Sequence, residues 1–142
     1  MSKKGSKDMM IAEGMIMDRI YVLRGKKVMI DEDLASLYHW EADRLKALLA
    51  KNKMRFPDDF MFKLNSDDYK FLKSQDKNVD SRKFNGDYPL ALTERGLAML
   101  AGLVKTNRPV AVHMCIIRMF TQLRDLLPDY PELSRELKKI IR

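Results

Sequence analysis

Apolar residues recur along this chain with two periods, close to two in a few short runs and close to 3.6 in the longer ones. Ile16 to Leu23 and Val28 to Ile30 flank Arg24, Gly25, Lys26 and Lys27, which predicts a hairpin whose turn uses the glycine for positive φ. Asp31 then serves as an N-cap, with Glu32 and Asp33 in the first turn of a short helix and Leu34 and Leu37 on its apolar edge. Tyr38 to Glu41 break that pattern. From Ala42 onward Leu45, Leu48, Leu49 and Asn52 recur at helical spacing and turn one face inward. Phe60, Phe62 and Leu64 alternate with Met61 and Lys63 as a strand does, and Ser66, Asp67 and Asp68 start a helix running to about Lys73.

Farther along, Ser74 to Tyr88 form a polar stretch too long for a simple connection, which reads equally as surface disorder or as a candidate phosphate-contacting loop through Arg82 and Lys83. Pro89 to Leu92 make a short strand. Thr93 caps a helix with Leu97, Leu100, Ala101 and Val104 on one face, and Pro109 suits the first turn of a longer helix reaching Leu127. That helix carries a main stripe of Val112, Ile116, Met119, Phe120, Leu123 and Leu127, and a second stripe of Val110, Met114 and Ile117. A helix apolar on two sides is central or lies at an interface. The expected architecture is α+β, with a small antiparallel sheet, a helix-turn-helix-like element and a C-terminal helical layer. Residues 1–15 form an N-terminal arm, 16–128 the domain, and 129–142 an amphipathic helix with Leu133, Leu137, Ile140 and Ile141 on one side.

The segment from Asp31 to Phe60 carries the functional signal. Asp43, Ala47, Ala50 and Met54 point away from the inward face of its second helix, with Arg44, Lys46 and Lys51 on the shoulders. Small residues flanked by cations let a helix approach a polyanion closely, and a helix-turn-helix needs that arrangement on a helix anchored to its predecessor. The turn around His39 and Trp40 has no glycine, and an ordinary helical hairpin with a solvated cationic face fits the pattern equally well.

The 142 residues are 46% hydrophobic, enough for one domain with a sizeable core, and a formal net charge of +7 favours nucleic acid or another anionic surface as partner. Asp8, Glu13 and Asp18 interrupt the N-terminal apolar residues before they could form a signal-peptide core or a membrane span, so a cytoplasmic protein is expected. Cys115 is the only cysteine, and His39 and His113 have no ligand-like spacing, so neither metal nor other cofactor is expected. Gly25 lacks the following Lys-Ser or Lys-Thr of a phosphate loop, and no small-molecule substrate is implied.

Asp31, Glu32, Asp33, Asp58, Asp59, Asp67 and Asp68 could hold Mg²⁺ for phosphodiester cleavage. Capping and helix-dipole stabilisation explain them without a metal, since they cluster at helix starts with no Lys or His base spaced with them. A non-enzymatic role follows. The stronger rival to DNA binding is a protein-interaction adaptor, antirepressor-like, that uses the two-sided helix or the amphipathic C-terminal segment.

The run VMIDEDLASLYHWEADRLKALLAKNKMRFPDDFMFKL, followed after a loop by YPLALTERGLAML, resembles the phage-associated DNA-binding domain found at the N-terminus of the "ORF six" proteins, a relative of the KilA-N and Bro-N domains. The matching elements are DLASLY, Lys51-Asn52 before Arg55-Phe56-Pro57, Asp59-Phe60 with Phe62, and Pro89-x-Ala91-x-Thr93-Glu94-x-Gly96-x-Ala98-Met99-Leu100, within a resemblance spanning about Ile16 to Leu127. It implies a phage or prophage regulator that binds double-stranded DNA. On that reading Lys51 and Arg44 are the first base-edge readers and Lys46 the next, while Lys26, Lys27, Lys53, Arg55, Arg82 and Lys83 hold phosphates. Asn52, on the inward side, is equally a DNA contact or a cap for the following turn. The C-terminal apolar stripe is too short for a stable lone helix in water and must dock, either on its own domain or, as the favoured expectation, in a homodimer contact that engages two half-sites.

Overall fold

In the computed structural model of the protein, described over residues 13–75 and 88–126, helices cover both faces of a four-stranded antiparallel sheet. The elements in order are α1 (Glu13–Met17), β1 (Ile20–Leu23), β2 (Lys26–Ile30), α2 (Asp31–Tyr38), α3 (Ala42–Lys51), a 3₁₀ turn (Lys53–Arg55), β3 (Met61–Lys63), α4 (Ser66–Gln75), β4 (Leu90–Thr93), α5 (Glu94–Ala101) and α6 (Asn107–Leu126). The strand order is β1-β2-β4-β3, so β4, the last strand among the described residues, inserts between β2 and β3. Its register sets Met29 opposite Leu92 and Phe62 opposite Ala91.

Period-two alternation assigns each strand residue to one of two cores. Val28, Ile30 and Ala91 face α4, where Leu64 and Leu72 are buried with Phe62, Tyr69 and Phe71 around them. Met29 and Leu92 face the larger helical layer, packed with Leu34 and Leu37 of α2, Leu45 and Leu49 of α3, Leu97 and Leu100 of α5, and Val112, Ile116, Met119 and Phe120 of α6. These four positions of the main α6 stripe are therefore core, while Leu123 is half-buried and Leu127 lies outside the described residues. Val110, Met114 and Ile117 of the second stripe are exposed. The segment 129–142, and Arg82 and Lys83, lie outside the described residues.

Three local expectations change. Ile16 and Met17 are helical rather than in a strand, because the Asp18 N–H bonds the Gly14 carbonyl at 3.0 Å and Ile16 plugs the larger core. Helical structure thus begins inside the stretch expected as an arm. Asp31 is the first residue of α2 rather than its cap; Ile30 occupies the cap position without a side-chain bond, and Asp31 Oδ1 accepts the Glu32 N–H at 2.8 Å. The hairpin turn uses positive φ at Arg24 (53°) as well as Gly25 (74°), the two-residue geometry that matches strand twist. Arg24 tolerates it because its guanidinium is fastened elsewhere. It lies 4.1 Å from the centre of the Phe62 ring and donates to Asp68 at 2.8 and 3.3 Å, and Asp68 closes a reciprocal capping pair with Asn65 at the start of α4.

The junction of β4 and α5 fastens the chain that follows α3. Thr93 is the N-cap of α5, its Oγ1 accepting the Gly96 N–H at 3.3 Å and donating to the Asp59 carbonyl at 2.7 Å. Its backbone N–H bonds the Phe60 carbonyl at 3.0 Å. Gly96 lets that carbonyl come close, since a Cβ there would stand 1.9 Å from the Phe60 oxygen. Arg95 completes the junction by donating to Asp59 at 2.9 Å.

Candidate nucleic-acid interface

The α2–α3 pair is built on a turn that works without glycine. His39 takes the left-handed conformation (φ 63°, ψ 37°), its N–H bonds the Ser36 carbonyl at 3.1 Å, and the Trp40 N–H reaches back to Ala35 at 2.9 Å. These two bonds make a Schellman motif, which ends α2 and redirects the chain into α3. The pair is anchored from below on α6. Arg108 Nε donates to the Leu37 carbonyl at 2.8 Å, and the buried Tyr38 hydroxyl bonds His113 Nε2. Burial pushes the Tyr38 phenol well above its ordinary value and the His113 imidazole down to about 4, so the bond joins a neutral hydroxyl and a neutral ring.

On α3, Leu45 and Leu49 are buried while Asp43, Arg44, Ala47, Ala50 and Lys51 are exposed, so the inward and outward faces fall where the helical spacing places them. The Arg44 guanidinium lies 3.9 Å from the centre of the Trp40 ring. That contact orders a long cationic side chain at the entrance of the helix. Trp40 is a supporting residue that the pattern reading passed over, although its spacing of four from Arg44 is a visible signal. Lys51, Lys53 and Arg55 are exposed, and none makes an ion pair with another described residue.

The other site residues divide. Lys46 lies 3.7 Å from Glu32 and its charge also favours the ionised form of buried Asp31, so its ammonium is drawn toward α2. Asn52 donates its amide to the Leu48 carbonyl at 2.8 Å and thereby closes the end of α3. Lys26 and Lys27 do not join the α3 cations. They begin β2 at the hairpin turn, whereas the Asp31–Lys46 neighbourhood lies beyond its other end, about 13 Å along a strand of this rise. Lys27 instead feels Arg124 near the end of α6, and burial, reinforced by that charge, lowers its pKa.

The structure thus brings together Arg44, Lys46, Lys51, Lys53 and Arg55 along one helix and its following turn. Among the described residues no three His, Cys, Asp or Glu side chains converge as a metal ion would need, and no helix is long and apolar enough to cross a membrane. Cys115 is buried, and burial raises its thiol above the ordinary value.

The model of one protein family, the ORF6N domain, matches residues 18–103. The chain belongs to this family. The ORF6N span takes in the sheet, the α2–α3 pair and the Thr93–Gly96 junction, and stops before α6, short of the Leu127 limit that the resemblance implied. This phage-type domain is therefore continued by a helix that holds Tyr38 and Leu37 in place. No curated protein and no solved structure matches the chain.

Proposed function

We propose that this ORF6N protein binds duplex DNA as a phage or prophage regulator, laying α3 in the major groove. The observation that carries the reading is the outer face of α3, where Ala47 and Ala50 leave the backbone open between the exposed cations Arg44 and Lys51. Arg44, steadied on Trp40, and Lys51 are the base-edge readers; Lys53 and Arg55 hold phosphates beside the same helix. Lys46, paired with Glu32, contributes charge more than readout. Lys26 and Lys27 would touch phosphate only on a duplex that reaches past the far end of β2.

Neutralising about five phosphates over the whole interface, Lys53 and Arg55 among the contacts, gives a slope of about −4 to −5 in log affinity against log salt. Arg44→Ala or Lys51→Ala is expected to weaken the preferred site by about 1 to 3 kcal/mol and relax base preference there. Anisotropy titrations of a labelled duplex at several salt concentrations check both. Affinity that stays flat as salt rises, or variants that fold and keep full preference, would remove α3 from the groove.

The exposed Val110, Met114 and Ile117 favour a second reading, an adaptor that acts through a partner protein. A second copy of the chain would reconcile the two, because paired domains engage two half-sites. Sedimentation of the full chain should give a dimer at tens of micromolar and a monomer when the chain ends at Leu127. A full-length monomer, or a dimer that survives the truncation, rejects the role of the C-terminal segment.

A further inference from the structure

Met54 is 100% exposed, whereas the next most exposed large apolar side chain among the described residues, Ile117, is 54% exposed. Isolated apolar residues on a surface are ordinary. Met54 differs in how it is presented. It is the middle residue of the 3₁₀ turn, between Lys53 and Arg55, and that turn follows directly on Asn52 at the end of α3. The turn is closed by the Arg55 N–H on the Asn52 carbonyl at 2.8 Å and the Phe56 N–H on Lys53 at 3.0 Å. Phe56, at its end, is buried in the larger core, and Asn52, at its start, is tied to Leu48.

We infer that Met54 is a wedge that enters a base step of the bound duplex, an assignment that rests on the DNA-binding reading above. Lys53 and Arg55 each hold a phosphate, and the side chain between them then faces the base pairs that those phosphates flank. An unbranched thioether adapts to the gap between two base pairs, and leaving water on insertion offsets the loss of base stacking. Steps that unstack easily, TpA above all, are the preferred targets, so Met54 adds sequence preference without hydrogen bonds.

The test uses the full chain and a short duplex with 2-aminopurine in place of the adenine of a central TpA step, its fluorescence reporting unstacking. Binding is followed separately by anisotropy of the same duplex carrying fluorescein. Wild type should raise the 2-aminopurine signal severalfold on binding. Met54→Ala should stay within about tenfold of wild-type affinity, keep the salt slope, and lose most of that rise. Met54→Leu should retain it. A Met54→Ala variant that unstacks the step as well as wild type, or a wild type that binds without unstacking, overturns the wedge and leaves DNA binding intact. Wild type that fails to move the anisotropy even at low salt overturns both.

Discussion

Replacing Gly96 by alanine should destabilise this domain by about 3 kcal/mol or more, at or beyond the top of the usual range for overpacked sites. The added methyl would stand 1.9 Å from the Phe60 carbonyl oxygen, and the obstacle is backbone rather than the end of a flexible side chain. Relief would require the Asp59–Phe60 segment to retreat from Thr93. That movement breaks the bonds from Thr93 to Asp59 at 2.7 Å and to Phe60 at 3.0 Å, and it strains the chain between α3 and β3. Urea denaturation checks it: the midpoint should fall steeply, and retained structure should show altered strand pairing around Phe62 and Ala91. A midpoint within experimental error of wild type would mean that the close approach of Phe60 to α5 is not part of the folded state.

Asp31→Asn should act in the opposite direction. Asp31 is 1% exposed, its Oδ1 accepts the Glu32 N–H, and its Oδ2 has no partner at hydrogen-bond geometry, with the Leu90 backbone N–H the nearby group that favours its charge. Burial, partly offset by Lys46, pushes its pKa up from 3.8 to about 6. Between those values the folded protein holds a proton that the unfolded chain has released, so stability falls as pH rises through the window. Above it the full penalty applies, about 3 kcal/mol for a shift of this size. Asparagine keeps the acceptor for Glu32 and removes the charge, so the gain at pH 7.5 should approach that figure and vanish below about pH 4.

His113 works against Asp31 in the same range. Its folded-state value of about 4 lies below the ordinary 6.5, so the unfolded chain takes up a proton first and stability falls as pH drops. The two slopes oppose each other between about pH 4 and 6 in wild type, and removing the aspartate exposes the histidine's. Unfolding midpoints across pH 3.5 to 8 should therefore show a flatter wild-type curve and an Asp31→Asn curve that climbs with pH. A variant less stable than wild type at pH 7.5 would show that the ionised carboxylate is well solvated or paired.

The periodic parts of this fold were legible because their periods are set by burial. Leu45 and Leu49 point inward and Ala47 and Ala50 outward for the same reason that their spacing is helical, and Thr93 caps α5 through a bond three residues away. What stayed hidden depends on distant partners. Arg24 reads as a turn cation until Asp68, far along the chain, claims it, and Lys46 reads as a free groove contact until α2 folds back and brings Glu32 beside it. Asp31 has the look of a solvated helix-start acid, and only the packing of α3 and β4 around it makes it buried. His39 lacks the glycine signature of a left-handed turn, so the sharpest bend of the candidate site had no local marker. Lys26 and Lys27 share the sign of the α3 cations but occupy the far end of β2, a separation that composition cannot express.

The place of β4 in the sheet also bears on how the protein comes off the ribosome. Val28 and Met29 pair with Thr93 and Leu92, so β2 waits for a strand synthesised near the opposite end of the ORF6N span. Such distant pairings form slowly, and until they do the sheet edge and the apolar faces of α2 and α3 stay open to wrong partners. A nascent chain halted before Leu90 contains the whole α2–α3 sequence yet lacks β4, the Thr93 bonds and the α6 anchors beneath Leu37 and Tyr38. Premature termination after the helix pair would thus yield a product for proteases and chaperones rather than a smaller regulator, and the timing of translation itself becomes part of making the helix pair competent.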